Sequence, residues 1–140
     1  DEYVYKSLLY QAEKYFHLKL NYKFPAPGRY LQDGETISFG NHELLVLPTP
    51  GHTPGSVSFY CKSEGFLFTG DTLFRESIGR TDLPGGDYSW IMRSILDNLL
   101  PLGDEVRVYP GHGPETTIGH EVLYNPFVTE VLNQEVNYKN

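Results

Sequence analysis

Apolar positions follow two rhythms along the chain. From Glu2 to Phe16, Val4, Leu8, Leu9, Ala12, Tyr15 and Phe16 recur at helical spacing, with Glu2, Lys6, Glu13 and Lys14 elsewhere. This pattern predicts an amphipathic helix that ends near His17. Phe24-Pro25-Ala26-Pro27-Gly28 interrupts it as a connecting loop, and Asp33-Gly34 marks a turn. Short strand-like runs follow. Thr36 to Phe39 and Glu43 to Leu47 flank Gly40-Asn41-His42, a hairpin signal that leaves His42 exposed in the turn. Val57 to Cys61 and Phe66 to Thr69 flank Lys62-Ser63-Glu64-Gly65, and Thr72 to Gly86 reads as a long polar connection. Helical spacing returns at Ile91, Ile95, Leu96, Leu99 and Leu100, capped by Asp87 or Ser89 and stopped by Pro101 and Gly103. Glu105 to Tyr109 is the last strand. Thr116 or Thr117 caps a final helix, and Asn125-Pro126 breaks it before a tail from Phe127 to Val136. The order predicts one α/β layered domain, with mostly antiparallel strands and helices on one face.

Composition narrows the possible functions. With 140 residues the chain has room for one domain with a core, and its net charge of −7 with no Lys/Arg run argues against a nucleic-acid surface. No apolar run approaches the roughly 20 residues that span a bilayer, and no secretory leader pattern is visible. The single cysteine, Cys61, excludes an internal disulfide. Its place in an apolar strand predicts a buried thiol, and a cytoplasmic location is expected.

The candidate chemistry sits where apolar runs stop. Leu47-Pro48-Thr49-Pro50-Gly51-His52-Thr53-Pro54-Gly55-Ser56 joins two strand-like runs, and its prolines and glycines hold one imidazole at a strand end. Phe66 to Asp71 ends in Gly-Asp, and Val106 to Gly113 ends in Pro-Gly-His-Gly. His52, Asp71 and His112 are therefore expected to form one metal site, because imidazole and carboxylate are good ligands for zinc or iron. An aspartate between two ions can bridge them, and a metal-bound water ionises near pH 7 to become a nucleophile. Two other chemistries lack their signatures: no Gly-x-Ser-x-Gly elbow and no Gly-x-x-x-x-Gly-Lys loop is present. Ser77-Ile78-Gly79-Arg80-Thr81-Asp82 follows Asp71 closely, so Arg80 is a candidate for binding a substrate carboxylate.

At these residues the chain resembles the metallo-β-lactamase superfamily. Thr49 to Ser56, Thr69-Gly70-Asp71-Thr72-Leu73-Phe74 and Pro110-Gly111-His112-Gly113 match its later metal motifs. Gly79 to Asp87 and Gly113 to Gly119 are similar to the short glyoxalase II-type hydrolases within it. The likeness runs from about Leu31 to Phe127. It implies an αββα sandwich with two divalent metals at the sheet edge. Zinc is expected first, with iron or manganese as alternatives. It implies His52 on one metal, Asp71 bridging and His112 on the other, with hydrolysis of a thioester such as an acylglutathione by a metal-bound hydroxide. An iron-dependent persulfide dioxygenase of the same fold is the alternative; there His52 and Asp71 remain ligands and His112 does not. A third reading is a non-catalytic fragment or interaction module with an incomplete metal site.

One family feature has no match. The His-x-His-x-Asp-His signature is missing, since the five histidines stand at 17, 42, 52, 112 and 120. Residues 1–140 are therefore expected to be a single partial domain, the C-terminal half of the sandwich without its N-terminal half. Such a half is expected to be inactive alone, and to associate with the missing half or with a second copy through its exposed sheet face. No counterpart of the helical glutathione-binding domain of glyoxalase II is expected after Phe127.

Overall fold

In the computed structural model, which describes residues 1–22 and 25–138, each predicted periodic run folds near its expected place. Helix α1 (Glu2–Phe16) opens on Asp1, whose side chain accepts the Val4 N–H at 3.0 Å. It closes at His17, which takes the left-handed conformation at φ 54°. The other oxygen of Asp1 accepts the Gly55 N–H at 2.8 Å and so ties the helix start to the His52 loop.

Strands β1 (Thr36–Phe39), β2 (His42–Pro48), β3 (Val57–Cys61) and β4 (Phe66–Gly70) pair as an antiparallel meander. The chain then crosses over, and β7 (Arg107–Pro110) pairs parallel to β4. Short β8 (Thr116–Thr117) completes a six-stranded sheet in the order β1-β2-β3-β4-β7-β8. A parallel pair needs a crossover of a dozen residues or more. Here it contains α2 (Tyr88–Arg93), whose cap is Asp87, accepting from the Trp90 N–H at 2.9 Å. The helix loosens into a π-helical stretch at Ser94–Leu99 and tightens into a 3₁₀ turn at Leu100–Leu102, around Pro101. Helix α3 (Ile118–Tyr124) is capped by the Thr117 side chain.

Two readings of the sequence change. The connection from Thr72 to Gly86 is not structureless: β5 (Leu73–Phe74) and β6 (Ser77–Ile78) form a small separate hairpin. Two-residue strands are too short to show alternation, and the turn uses left-handed Glu76 (φ 56°) rather than a glycine. The tail after Asn125 is helix α4 (Pro126–Tyr138), where proline suits the first turn. The Asn125 side-chain oxygen accepts the Phe127 N–H at 3.1 Å, so the Asn-Pro pair ends one helix and starts the next.

Register assigns the two faces of the sheet. Leu45, Tyr60, Leu67 and Val108 share one row. Leu67 and Val108 pack there with Ile91, Met92, Ile95, Leu99, Ile118 and Val128 from the helical segments. Each fully buried side chain of this kind contributes about 1.5–3 kcal/mol. The opposite row runs Val46, Phe59, Phe68, Tyr109. It carries a ring cluster, Phe66 to Phe68 at 5.0 Å and Phe68 to Tyr109 at 5.9 Å, and Phe68 is 42% exposed. Cys61 is a buried free thiol. Because β2 and β4 run the same way in the meander and β7 is parallel to β4, all three end on one edge. That edge carries the candidate chemistry.

Candidate metal centre

His52 is presented by a loop that the helical crossover holds by its carbonyls. Asp87 N–H, the Ser94 hydroxyl and the Asn98 amide donate to Gly51, Pro50 and Pro48 carbonyls at 2.8, 2.7 and 2.8 Å. The imidazole Nδ1 lies 2.8 Å from the Arg80 carbonyl oxygen. A carbonyl only accepts, so Nδ1 carries a proton and Nε2 is the nitrogen left to act as a ligand atom. That nitrogen faces Asp71 Oδ2 at 3.5 Å.

Asp71 follows β4 directly, and His112 follows β7. The Gly111 N–H donates to the Gly70 carbonyl at 2.8 Å, extending the parallel pairing into the site. A side chain at Gly111 would put its Cβ 2.8 Å from Asp71 Oδ1, so only glycine lets the two strand ends approach. His112 Nδ1 then reaches Asp71 Oδ1 at 3.1 Å, with the Phe74 ring 4.5 Å from the imidazole. Gly79 closes the other side: its N–H donates to the Thr72 carbonyl, and a methyl group there would overlap the Asp71 carbonyl oxygen. Gly79→Ala is expected to cost about 2–4 kcal/mol through that overlap. Gly28→Ala, with nothing within 4 Å, serves as the control, and denaturation midpoints of the two variants give the comparison.

Below the site lie four buried hydroxyls that the sequence reading did not single out. Thr49 and Ser58 bond at 3.0 Å, Thr72 donates to Thr49 at 3.2 Å, and Thr69 donates to the Leu73 carbonyl at 2.9 Å. Thr49, Ser58 and Thr72 satisfy one another, and Thr69 is satisfied by the backbone of the chain that follows Asp71, so none of the four is left unpaired.

The three sequence-predicted ligands therefore line one pocket of about 340 Å³ together with Phe74, Ser77, Ile78, Gly79 and Arg80. Each imidazole meets a different oxygen of Asp71. Two atoms bound to one ion at about 2.1 Å, with an angle between roughly 90° and 110°, stand about 3.0–3.4 Å apart. The 3.1 and 3.5 Å pairs are close to this spacing, which is also that of direct imidazole–carboxylate contacts, so the donor set is compatible with a cation on each side of the carboxylate, two protein donors to each. Among the described residues no three His, Cys, Asp or Glu side chains close around a single point. Exposure differs across the site: the His52 side chain is 20% accessible, that of Asp71 40% and that of His112 73%.

Arg80 lines the pocket and sets its carbonyl against His52, but its guanidinium is engaged by Asp82. Nε and one Nη donate to the two oxygens of Asp82 at 2.8 and 2.7 Å. That pair lowers the Asp82 carboxyl to a pKa of about 2 and raises Arg80. A depressed carboxylate adds stability above its unfolded pKa and loses it as pH falls through the folded value. The pair therefore holds at neutral pH and weakens only between about pH 4 and about pH 2. Among the described residues no helix is long and apolar enough to cross a membrane.

Fold and site together describe an α/β chain whose mixed sheet carries a candidate His/Asp/His metal edge. The chain belongs to the Metallo-beta-lactamase superfamily, whose family model matches residues 2–112. It is 42% identical over 129 residues to the hydroxyacylglutathione hydrolase GloC of Haemophilus influenzae, covering 91% of this chain and 60% of that protein. A solved structure titled TTHA1623 in a di-iron-bound form is 44% identical with a TM-score of 0.78, covering 91% of this chain and 61% of that one. ETHE1 from Myxococcus xanthus is 36% identical with a TM-score of 0.68, covering 71% and 45%. The chain spans about half the length of the curated relatives it matches.

Proposed function

We propose that the chain is the C-terminal half of a metal-dependent hydrolase that cleaves a thioester such as an acylglutathione. The observation that carries this reading is the pairing of each Asp71 oxygen with a different histidine, at the spacing of two ligand atoms on one ion. His52 and His112 would each hold one cation, and Asp71 would lie between the two. Bound metals would supply a Lewis acid and an activated water. The chain's own residues do the rest. The Arg80 carbonyl keeps His52 in the tautomer that leaves Nε2 as the ligand atom. Phe74 and Ile78 give the pocket an apolar wall, and the free Nη of Arg80 offers a donor to a substrate carboxylate. The identity with GloC supports the thioester substrate class.

The domain reading belongs to the same proposal. The His112 side lies open, and the ring cluster of Phe66, Phe68 and Tyr109 lies on the sheet face away from the helices. The N-terminal half of the sandwich would cover that face and add the missing ligands.

A second reading is the iron-dependent persulfide dioxygenase of the same fold that the family resemblance implies; the likeness to ETHE1 from Myxococcus xanthus is the comparison that bears on it. Metal content and two assays on the intact protein separate them. Two metals per chain with thioester cleavage are expected. One iron per chain, oxygen consumption with a persulfide and no thioester cleavage would replace the first reading with the second.

A further inference from the structure

Glu121 is fully buried, although carboxylates are rarely so placed without a cation. Among the described residues it has no cationic partner. Instead three neutral donors converge on it. The Thr116 hydroxyl donates to Oε1 at 2.6 Å, while the Glu76 N–H and the Asn125 amide donate to Oε2, each at 2.8 Å. A charge taken from water costs several kcal/mol unless such bonds offset it. The position therefore demands an explanation beyond packing.

The Glu76 N–H shows what the carboxylate reaches. Glu76 is the left-handed turn residue of the β5–β6 hairpin, a conformation that costs a residue with a Cβ on the order of 1 kcal/mol. Glycine would adopt it freely. The hairpin is anchored at two further points, the Asn125 amide donating to the Ser77 carbonyl at 3.0 Å and His120 Nε2 meeting Glu76 Oε1 at 2.9 Å, and Asn125 is itself tied to Glu121. Two helices thus hold a hairpin with only two residues in each strand. That hairpin places Phe74 against the His112 ring and continues into Ser77, Ile78 and Gly79 of the pocket wall.

We propose that Glu121, assisted by Asn125, is a positioning residue that sets the β5–β6 hairpin and, through Phe74, the orientation of His112. This rests on the metal-site reading above. Glu121 lies behind the hairpin and touches no reacting group; it acts because supporting contacts commonly govern how well a ligand is held.

The test uses the intact, zinc-loaded protein and three variants. Glu121→Ala removes the hairpin's anchor. Glu121→Gln keeps an oxygen for the Glu76 and Asn125 donors, while its amide faces a Thr116 hydroxyl able to turn and accept. Thr116→Val removes a bond of the same buried carboxylate without touching the hairpin. All three are expected to lower the thermal midpoint. Only Glu121→Ala is expected to weaken zinc, measured by chelator competition, and to lower kcat on an acylglutathione, each by about 10–100-fold. Glu121→Gln should recover most of both. In the metal-free protein, the NMR resonances of the His112 ring should shift in Glu121→Ala and stay in place in Thr116→Val. If Glu121→Ala does not accumulate folded, Glu121→Asp, which retracts the charge by one methylene, replaces it with the same expectation.

Equal losses of zinc affinity in Glu121→Ala and Thr116→Val would reduce Glu121 to a stability residue and overturn the proposal. The same holds for unmoved His112 resonances. A wild-type protein that binds zinc but leaves thioesters intact overturns the substrate reading instead. The zinc and NMR results still decide the role of Glu121.

Discussion

Asp71→Asn in the intact protein is expected to lower kcat by roughly a hundredfold or more, equivalent to about 2.7 kcal/mol or more of lost transition-state stabilisation. Asparagine keeps the shape but replaces one acceptor oxygen with a donor and removes the charge. Each oxygen of Asp71 faces its own imidazole, so either orientation of the amide turns an NH2 group toward one of the two proposed cation positions. Metal content should fall with activity. Arg80→Ala is expected to do much less. The carbonyl that orients His52 is backbone and survives the substitution, and most of the lost guanidinium contacts Asp82 rather than the pocket. Its effect should appear as a raised KM with kcat within about threefold, the pattern of an interaction made equally in ground and transition states. Steady-state kinetics with metal analysis decides between them. Full metal occupancy and turnover in Asp71→Asn, with turnover abolished in Arg80→Ala, would move the centre of the site away from Asp71.

Residues 1–140 alone are expected to hydrolyse acylglutathione at no more than about one hundredth of the rate of the intact protein, because a ligand shell left half open holds metal weakly. The three candidate ligands grow more exposed from His52 to His112, and no third protein donor closes around either cation position among the described residues. Adding the N-terminal half in trans should restore activity, and its concentration dependence should report the affinity between halves. Robust hydrolysis by residues 1–140 alone would mean that other residues complete the site, and the half-sandwich reading would fall.

What the sequence disclosed follows from how local each signal is. The periodic runs gave α1, the four-strand meander and the helical crossover within a residue or two, because apolar spacing follows the repeat of each element; in α1 the apolar stripe is present but none of its residues is buried. His52, Asp71 and His112 stood out because each follows an apolar run and a glycine, and Gly111 proves to be a position with no room for a side chain. The β5–β6 hairpin escaped notice because its strands are shorter than one period of alternation and its turn lacks a glycine. Glu121 escaped for a different reason. A glutamate early in a helix ordinarily reads as solvated, and only the tertiary arrangement brings Glu76, Thr116 and Asn125 to it. The spacing of Glu121 and Asn125, four apart on one helical face, was the available hint. The engagement of Arg80 by Asp82 was equally invisible, since spacing cannot say which way a loop side chain turns.

The parallel pairing of β4 with β7 also governs when the site comes into being. Asp71 and His112 become neighbours only after the chain between them has folded back, because the Gly111 to Gly70 bond closes over the β5–β6 hairpin and the whole helical crossover. The β1–β4 meander is joined by shorter connections, but the His52 loop between β2 and β3 takes its hydrogen bonds from the crossover. Long loops close more slowly and at greater entropic cost than hairpins, so non-local strand pairings come late in folding. The crossover that holds the His52 loop and the strand end that carries His112 both follow Asp71 in the chain, so the three candidate ligands are expected to come together in one late step rather than one by one.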